Sequence, residues 1–257
     1  MNRKALIIYC TETDSGELAG PKMDNENIRK YLKSDVGGQW YDDEIISLEN
    51  PTIGKVRRCI ANEFDDADYS FIVFTGHGGI DETDGQDYLE VVDGDMSLST
   101  LITDAPRQTL IIDACRGYFR RIPDSLQKSF SNVYEYFSGH PNTRIIFDRA
   151  VSQAEEGLTV LYSASANQSS LDTNKGGAYL YSLLSICKEW EEIVKGKEGY
   201  LDLKNAHEIA CEYLRDNFVT IQKPTMNTEK RGCFFPIAVS SIPKNRILNK
   251  KLYIVNC

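Results

Sequence analysis

In Tyr69-Ser70-Phe71-Ile72-Val73-Phe74-Thr75-Gly76-His77-Gly78-Gly79, a mostly apolar run passes directly into a histidine flanked by glycines. The run is short, β-branched and aromatic, which is typical of a buried strand. Glycines end such a strand and let its turn adopt conformations that other residues disfavour. A buried strand of this kind is typical of the parallel sheet of an α/β protein. The stretch therefore predicts that His77 lies at the carboxyl end of a parallel strand.

A second stretch has the same form, and it reads Thr109-Leu110-Ile111-Ile112-Asp113-Ala114-Cys115-Arg116-Gly117. Parallel sheets present their functional groups at the carboxyl ends of their strands, so Cys115 and His77 are expected to lie together. A cysteine beside a histidine loses its proton more readily, and the thiolate attacks carbonyl carbons. Taken alone, each residue is more often a packed core residue. The joint pattern favours a nucleophile with its base.

The order of these motifs resembles that of caspases and metacaspases. Caspases carry Gln-Ala-Cys-Arg-Gly around the nucleophile, and metacaspases have aspartate in place of the glutamine, as at Asp113. Residues 75–79 match the Ser-Gly-His-Gly-Gly of metacaspases, and residues 18–24 resemble the family's Leu-x-Gly-x-x-x-Asp turn. Residues 161–165 and 176–179 resemble the start of the small-subunit half. The resemblance covers most of the chain.

This resemblance implies an α/β fold, a caspase-like three-layer α/β/α sandwich with a mostly parallel central sheet. A single caspase-like peptidase domain is expected over residues 1–257. Residues 1–117 form its large-subunit-like part, 118–156 an intersubunit connector, and 157–257 its small-subunit-like part. If the connector is processed as in relatives, five basic residues are available for cleavage: Arg120, Arg121, Lys128, Arg144 and Arg149.

Apolar patterning along the chain agrees with alternating strands and helices. It predicts strands over residues 5–9, 44–48, 69–74, 109–112, 159–163 and 252–255. It predicts helices over residues 24–34, 51–60, 178–190 and 203–218. Asp24 is expected either to cap the first helix or to be a pocket carboxylate, as the metacaspase resemblance implies.

The resemblance also implies the catalytic roles. Cys115 attacks the scissile carbonyl, and His77 takes the proton and later gives it to the leaving amine. The backbone N–H groups of Gly78 and Cys115 are the expected donors to the developing oxyanion. No third catalytic residue is evident from the sequence, which agrees with the family's use of a dyad.

Pocket residues follow from the same comparison. In this fold the residue two before the cysteine lines the pocket for the side chain before the scissile bond, and the carboxylate of Asp113 there attracts Arg or Lys. An ungapped alignment places Asp172 where caspases have a pocket arginine, and Thr75 is assigned to the pocket as well. Two alternatives stay open: Asp113 caps the Cys115 loop, or Asp172 is a solvated loop charge.

Composition narrows the class of protein. A net charge of −9 argues against nucleic-acid binding, which needs a basic face. The seven cysteines lack a pairwise spacing and fit reduced thiols. No apolar segment has the length of a membrane span, and the short apolar stretch in residues 1–10 does not form a signal-peptide pattern. A cytoplasmic location without membrane contact is therefore expected.

A dyad of this type requires no cofactor, but the resemblance brings calcium into consideration. Residues 81–87, with Asp93 and Asp95, are rich in the oxygen ligands that calcium prefers. Acidic surface loops are also common without any metal. No other metal or cofactor motif is present in the sequence.

The sequence thus predicts a cysteine endopeptidase that cleaves protein or peptide substrates after Arg or Lys through a thioester intermediate. Two alternatives remain. One is a catalytically idle caspase-like scaffold that binds a partner. The other is a separase-like or gingipain-like protease of the same clan, which shares the dyad and differs in substrate reach.

Overall fold

Strands and helices alternate through most of the chain in the computed structural model, which describes residues 1–13, 16–81, 85–117, 143–218, 220–228 and 232–242. The strands are β1 (Arg3–Tyr9), β2 (Glu12–Thr13), β3 (Gly16–Glu17), β4 (Ile45–Glu49), β5 (Tyr69–Thr75), β6 (Gly78–Ile80), β7 (Asp87–Val91), β8 (Gly94–Ser97), β9 (Arg107–Asp113), β10 (Gly157–Tyr162), β11 (Asp172–Thr173), β12 (Gly176–Gly177), β13 (Gly199–Asp202), β14 (Thr225–Thr228) and β15 (Pro236–Ser240). The helices are α1 (Gly20–Lys33), α2 (Ile53–Glu63), α3 (Thr143–Gln153), α4 (Ala178–Val194) and α5 (Leu203–Asn217), with short 3-10 turns at Asp42–Glu44 and Leu98–Leu101.

The central sheet of the described residues has six strands in the order β14-β10-β9-β5-β1-β4. Its strands pair in parallel, except for β14, which runs antiparallel to β10. Along β1 the side chains alternate between the two faces of the sheet, as a pleated strand requires. Ala5 and Ile7 belong to one buried cluster, whereas Leu6 and Ile8 belong to the other. The sheet is therefore covered on both sides.

Helices and a small hairpin sheet provide the two covering layers. Buried residues of α1, α3, α4 and α5 pack on one face of the central sheet. Val56 of α2 packs on the other face, together with the hairpin strands β7 and β8. This arrangement confirms the predicted α/β sandwich with a mostly parallel sheet. Within the described part of the chain, no helix combines the length and apolarity needed to cross a membrane.

Helix α1 begins four residues earlier than predicted. Ala19 precedes it without a side-chain cap, and Pro21 lies in the first turn, where its fixed φ suits a helix. Asp24 therefore lies inside the helix, so the prediction that it is the N-cap is wrong. The other strands and helices predicted within the described residues are present with ends shifted by a few residues. The predicted strand over residues 252–255 lies outside them.

Part of the predicted connector forms helix α3, which packs into the core. Its apolar residues Ile146, Phe147 and Val151 are buried, and the Phe147 ring meets the Trp40 ring edge-on at 5.8 Å. Residues 143–153 of the predicted connector are therefore helical, and the role of residues 118–156 as a connector stays a prediction. Of the five predicted cleavage residues, Arg144 and Arg149 lie in this helix, and the other three lie outside the described residues.

A buried ion network fixes α3 at the amino end of the sheet. The side chain of Arg3, at the start of β1, is 0% exposed and lies 3.6 Å from Glu44 and 3.1 Å from Asp148. Arg144 donates to both carboxylate oxygens of Glu44. The Arg3 guanidinium also lies 4.4 Å from the centre of the Trp40 ring. Burial lowers the pKa of Arg3 to about 10, and the charges of Asp148 and Glu44 oppose this shift.

Replacing Glu44 by alanine removes the carboxylate that Arg3 and Arg144 share. We expect Glu44→Ala to lower the free energy of unfolding by about 3 kcal/mol, because it leaves buried cations poorly compensated. Urea denaturation followed by circular dichroism measures the loss. The matched control is Asp42→Ala, since Asp42 pairs with Lys33 at an exposed position and is expected to matter much less. Equal losses in the two variants would contradict a stabilising role for the network.

Candidate active site

Parallel pairing of β5 and β9 brings His77 and Cys115 to the same end of the sheet. Thr75 is the register partner of Asp113, and the N–H of Gly76 donates to the Asp113 carbonyl at 3.2 Å. His77 and Cys115 each lie two residues beyond this last pair. Adjacent strands lie about 4.8 Å apart. The two predicted catalytic residues therefore leave neighbouring strands at the same level.

Gly78 lies directly against residues 114–117, the cysteine loop that follows β9. A Cβ on Gly78 would lie 3.0 Å from the Cβ of Ala114 and 3.3 Å from the carbonyl oxygen of Cys115. Glycine at this position thus allows the backbone after His77 to approach the backbone of Cys115. These are the two residues whose N–H groups were predicted to stabilise the oxyanion, and that role stays a prediction.

His77, which follows β5, is half-buried. Its backbone carbonyl accepts a hydrogen bond from Glu90 N at 3.0 Å, which anchors the residue. Its ring atom Nε2 is buried and has no hydrogen-bond partner among the described residues. A ring nitrogen without a competing partner is suited to exchange a proton with a nearby group.

The thiol of Cys115 accepts a hydrogen bond from the backbone N–H of Ser170 at 3.3 Å. Burial raises the pKa of this thiol, hydrogen bonds from Ser170 and Ser169 lower it, and the nearby carboxylates of Asp113 and Asp172 raise it. The net direction is upward. The effect of His77 on the thiol stays a prediction. A thiol whose pKa is raised needs a base to form the thiolate.

Arg116, next to Cys115, ties the cysteine loop to its surroundings. Its guanidinium donates to both carboxylate oxygens of Asp87, at 2.8 and 3.0 Å, and lies 4.0 Å from the centre of the Tyr162 ring. Its backbone exchanges hydrogen bonds with Gln168 and Asn167. The sequence comparison used Arg116 only as a motif residue. Its structural partners are distant in sequence, so no local pattern predicts them.

The predicted pocket carboxylates of Asp24, Asp113 and Asp172 each lie against a glycine. Strands β11 and β12 form a short hairpin in which Asp172 pairs with Gly177. A side chain at any of three glycine positions would overlap a carboxylate: Gly176 with Asp24, Gly177 with Asp113, and Gly20 with Asp172. The absence of side chains at these glycines lets the carboxylates come together beside the cysteine loop.

Asp24 is 1% exposed and faces the end of β5. Its carboxylate accepts hydrogen bonds from Thr75 Oγ1 at 2.6 Å and from Gly177 N at 3.0 Å. Thr75, the fourth predicted pocket residue, thus lies with the carboxylates. Burial raises the pKa of Asp24 well above its ordinary value, as do the charges of Asp113 and Asp172, while the two hydrogen bonds lower it.

Asp113 is 5% exposed, and burial raises the pKa of its carboxyl. The carboxylate accepts hydrogen bonds from Ser170 Oγ at 2.7 Å and from the N–H of Leu180, in the first turn of α4, at 3.2 Å. These partners belong to other segments, so a cap on the Cys115 loop is not what the structure shows. Within the described residues, neither Asp24 nor Asp113 forms an ion pair, because their donors are hydroxyl and backbone N–H groups.

Asp172 is half-buried and joins the hairpin to α1. Its carboxylate accepts hydrogen bonds from Gly20 N at 3.1 Å and Thr173 N at 3.0 Å. The alternative of a solvated loop charge is therefore wrong. The first turn of a helix stabilises negative charge, and here the first residue of α1 supplies one of the N–H donors. Three carboxylates held together in this way attract a cation.

Two of the predicted calcium ligands in the described residues have other partners. Asp87 holds Arg116, and an oxygen of Asp93 accepts a hydrogen bond from Ile53 N at 2.7 Å. No group of three or more His, Cys, Asp or Glu side chains is arranged for a metal ion in the part of the chain that the structure describes. Residues 82–84 lie outside that part. The described residues do not fit a calcium site, and calcium stays a prediction.

Comparison with known proteins adds two findings. The model of the caspase domain, peptidase family C14, matches residues 2–232. The crystal structure of caspase-1 from Spodoptera frugiperda has a similar fold, with a TM-score of 0.57 and 16% sequence identity over 96% of this chain and 94% of that chain. At this level of identity, the structural likeness shows the fold alone. No match was found among curated protein sequences.

The raised pKa of Asp24 predicts a measurable effect on stability. A carboxyl whose pKa is raised on folding favours the folded state at low pH, and this contribution is lost as pH rises from about 4 through the folded pKa. At pH 8, Asp24→Asn is therefore expected to raise the free energy of unfolding by on the order of 1 kcal/mol. At pH 4 no such gain is expected. Denaturant unfolding at the two pH values measures the difference.

The matched control for this variant is Asp65→Asn, which changes an exposed carboxylate after α2. It is expected to leave stability nearly unchanged at both pH values. A destabilisation by Asp24→Asn that is equal at pH 4 and pH 8 would show that the carboxylate is not under electrostatic strain.

Proposed function

The chain belongs to the caspase domain family of cysteine peptidases, and on that premise we propose that it hydrolyses peptide bonds after arginine or lysine. The observation that carries the proposal is the group of carboxylates beside Cys115. Asp24 and Asp113 are buried there without an ion pair in the described residues, and Asp172 lies with them. A substrate side chain of positive charge supplies the compensation that the protein itself does not.

Peptide hydrolysis in this proposal proceeds through a thioester. His77 takes the proton of Cys115, whose raised pKa makes a base necessary, and the thiolate attacks the scissile carbonyl carbon. The N–H groups of Gly78 and Cys115 stabilise the oxyanion, and the close approach of Gly78 to the cysteine loop supports this role. His77 then protonates the leaving amine, and water hydrolyses the thioester.

Charge determines the preferred substrate in this proposal. A guanidinium presents several N–H donors in a planar fork, so it can bind more than one carboxylate oxygen at once, while an ammonium binds as a point charge. An aspartate side chain brings another negative charge to Asp24 and Asp113. Like charges in a buried pocket repel strongly. Substrates with aspartate before the scissile bond are therefore expected to be rejected.

The main alternative is a catalytically idle scaffold that binds basic peptides through the same carboxylates. The raised pKa of the Cys115 thiol is compatible with such a protein. The two functions differ in their response to loss of the sulfur. A scaffold keeps its function in Cys115→Ala, whereas a peptidase loses turnover and keeps peptide binding.

The proposed dyad predicts a graded loss of activity. Cys115→Ala is expected to abolish hydrolysis of an arginyl fluorogenic peptide, because no nucleophile remains. His77→Ala is expected to slow it by about 10²- to 10⁴-fold, the usual contribution of a general base. The control is Cys59→Ala, which removes a half-buried thiol on α2. Full turnover by Cys115→Ala would disprove the assignment of the nucleophile.

The proposed pocket predicts a change in specificity. Asp113→Asn is expected to reduce kcat/KM for arginyl peptides by roughly 2–5 kcal/mol in transition-state free energy, as for other truncated charge pairs. The ratio of arginyl to aspartyl turnover falls with it. Asp104→Asn, at an exposed loop position, serves as the control. If a peptide library shows a preference for aspartate in the natural chain, the pocket assignment is refuted while the dyad stands.

A further inference from the structure

Gln222, between α5 and β14, is a buried polar residue that the sequence did not single out. It is 4% exposed. Its Nε2 donates to the Ser163 carbonyl at 2.7 Å and to Ser170 Oγ at 3.3 Å, and its Oε1 accepts from Leu171 N at 3.0 Å. The amide therefore ties the end of β10 to the segment at Ser170.

Ser170 contacts both the nucleophile and the pocket. Its backbone N–H donates to the sulfur of Cys115 at 3.3 Å, and its hydroxyl donates to Asp113 at 2.7 Å. Residues 163–171 form neither a helix nor a strand. The position of such a segment depends on a few side-chain hydrogen bonds, and Gln222 supplies those at Ser170 and Leu171.

We propose that Gln222 is a positioning residue for the nucleophile: it holds Ser170 so that the Ser170 N–H stabilises the Cys115 thiolate. The inference deepens the proposed function, because it concerns the same cysteine. A hydrogen bond donated to a charged acceptor is shorter and stronger than one to a neutral acceptor. The bond from Ser170 thus becomes stronger when the sulfur loses its proton.

The charged surroundings of the sulfur make this donor important. The carboxylates of Asp113 and Asp172 oppose the thiolate, and the hydrogen bond from Ser170 favours it. His77 follows the neighbouring strand, and the guanidinium of Arg116 is paired with Asp87. Without the N–H of Ser170, burial and the two carboxylates act on the sulfur with less opposition.

The test is the pH dependence of Cys115 alkylation by iodoacetamide, followed by peptide mapping in the absence of substrate. Gln222→Met keeps the length of the side chain and removes its hydrogen bonds. Its alkylation midpoint is expected about one pH unit higher, with about tenfold slower alkylation near neutral pH, as befits the loss of a hydrogen bond to a charged group. A midpoint equal to that of the natural chain would overturn the inference.

Gln108→Met is the matched control. Gln108 is also buried, and its amide makes three hydrogen bonds, to Thr103 and Ala105, at the amino end of β9. This variant is expected to lose stability without moving the midpoint. Equal midpoints in the Gln108→Met and Gln222→Met variants would show that Gln222 has only a structural role.

Ser170→Ala separates the N–H from the hydroxyl. It keeps the backbone donor and the bond from Leu171 N to Gln222 but removes the hydroxyl that Gln222 also contacts, so its alkylation midpoint is expected to rise by clearly less than that of Gln222→Met. A shift as large as that of Gln222→Met would overturn the assignment to the N–H. Alkylation needs no peptide turnover, so this test and the test of peptidase activity can fail independently of each other.

Discussion

The burial of carboxylates that have no ion pair within the described residues is the constraint on which the candidate site depends. Asp24 and Asp113 lie almost out of contact with water, and burial raises the pKa of each. The protein tolerates them by directing N–H groups from helix starts at the cluster: Gly20 of α1 to Asp172, and Leu180 of α4 to Asp113. These donors reduce the cost of the negative charge without neutralising it. In the proposed function, the cationic side chain of the substrate completes the arrangement.

Buried charges are compensated differently at the two ends of the sheet. At the amino end, the buried cation Arg3 has carboxylate partners in Glu44 and Asp148. That network holds α3 in place and serves stability. At the carboxyl end, Asp24 has only neutral donors within the described residues. Such a site lowers the stability of the folded protein, and a loss of this kind is common where function requires it.

The spacing of apolar residues and the short sequence motifs identify much of this site, because both are features of neighbouring residues in the sequence. Apolar runs that stop at glycine locate His77 and Cys115, and parallel pairing brings them to one edge. The contributions of Ser170 and Gln222 have no such signal, since their partners lie about fifty residues away or more along the chain. Helix α3 was missed for a similar reason. Its Arg144 is placed by Glu44, 100 residues earlier.

The most direct test of the account is a crystal structure of the chain after reaction with an arginyl chloromethyl ketone. The account predicts a covalent bond to the sulfur of Cys115, with the guanidinium within hydrogen-bond distance of Asp113 and at least one of Asp24 and Asp172. A label on another cysteine, or an arginine side chain directed away from these carboxylates, would contradict it.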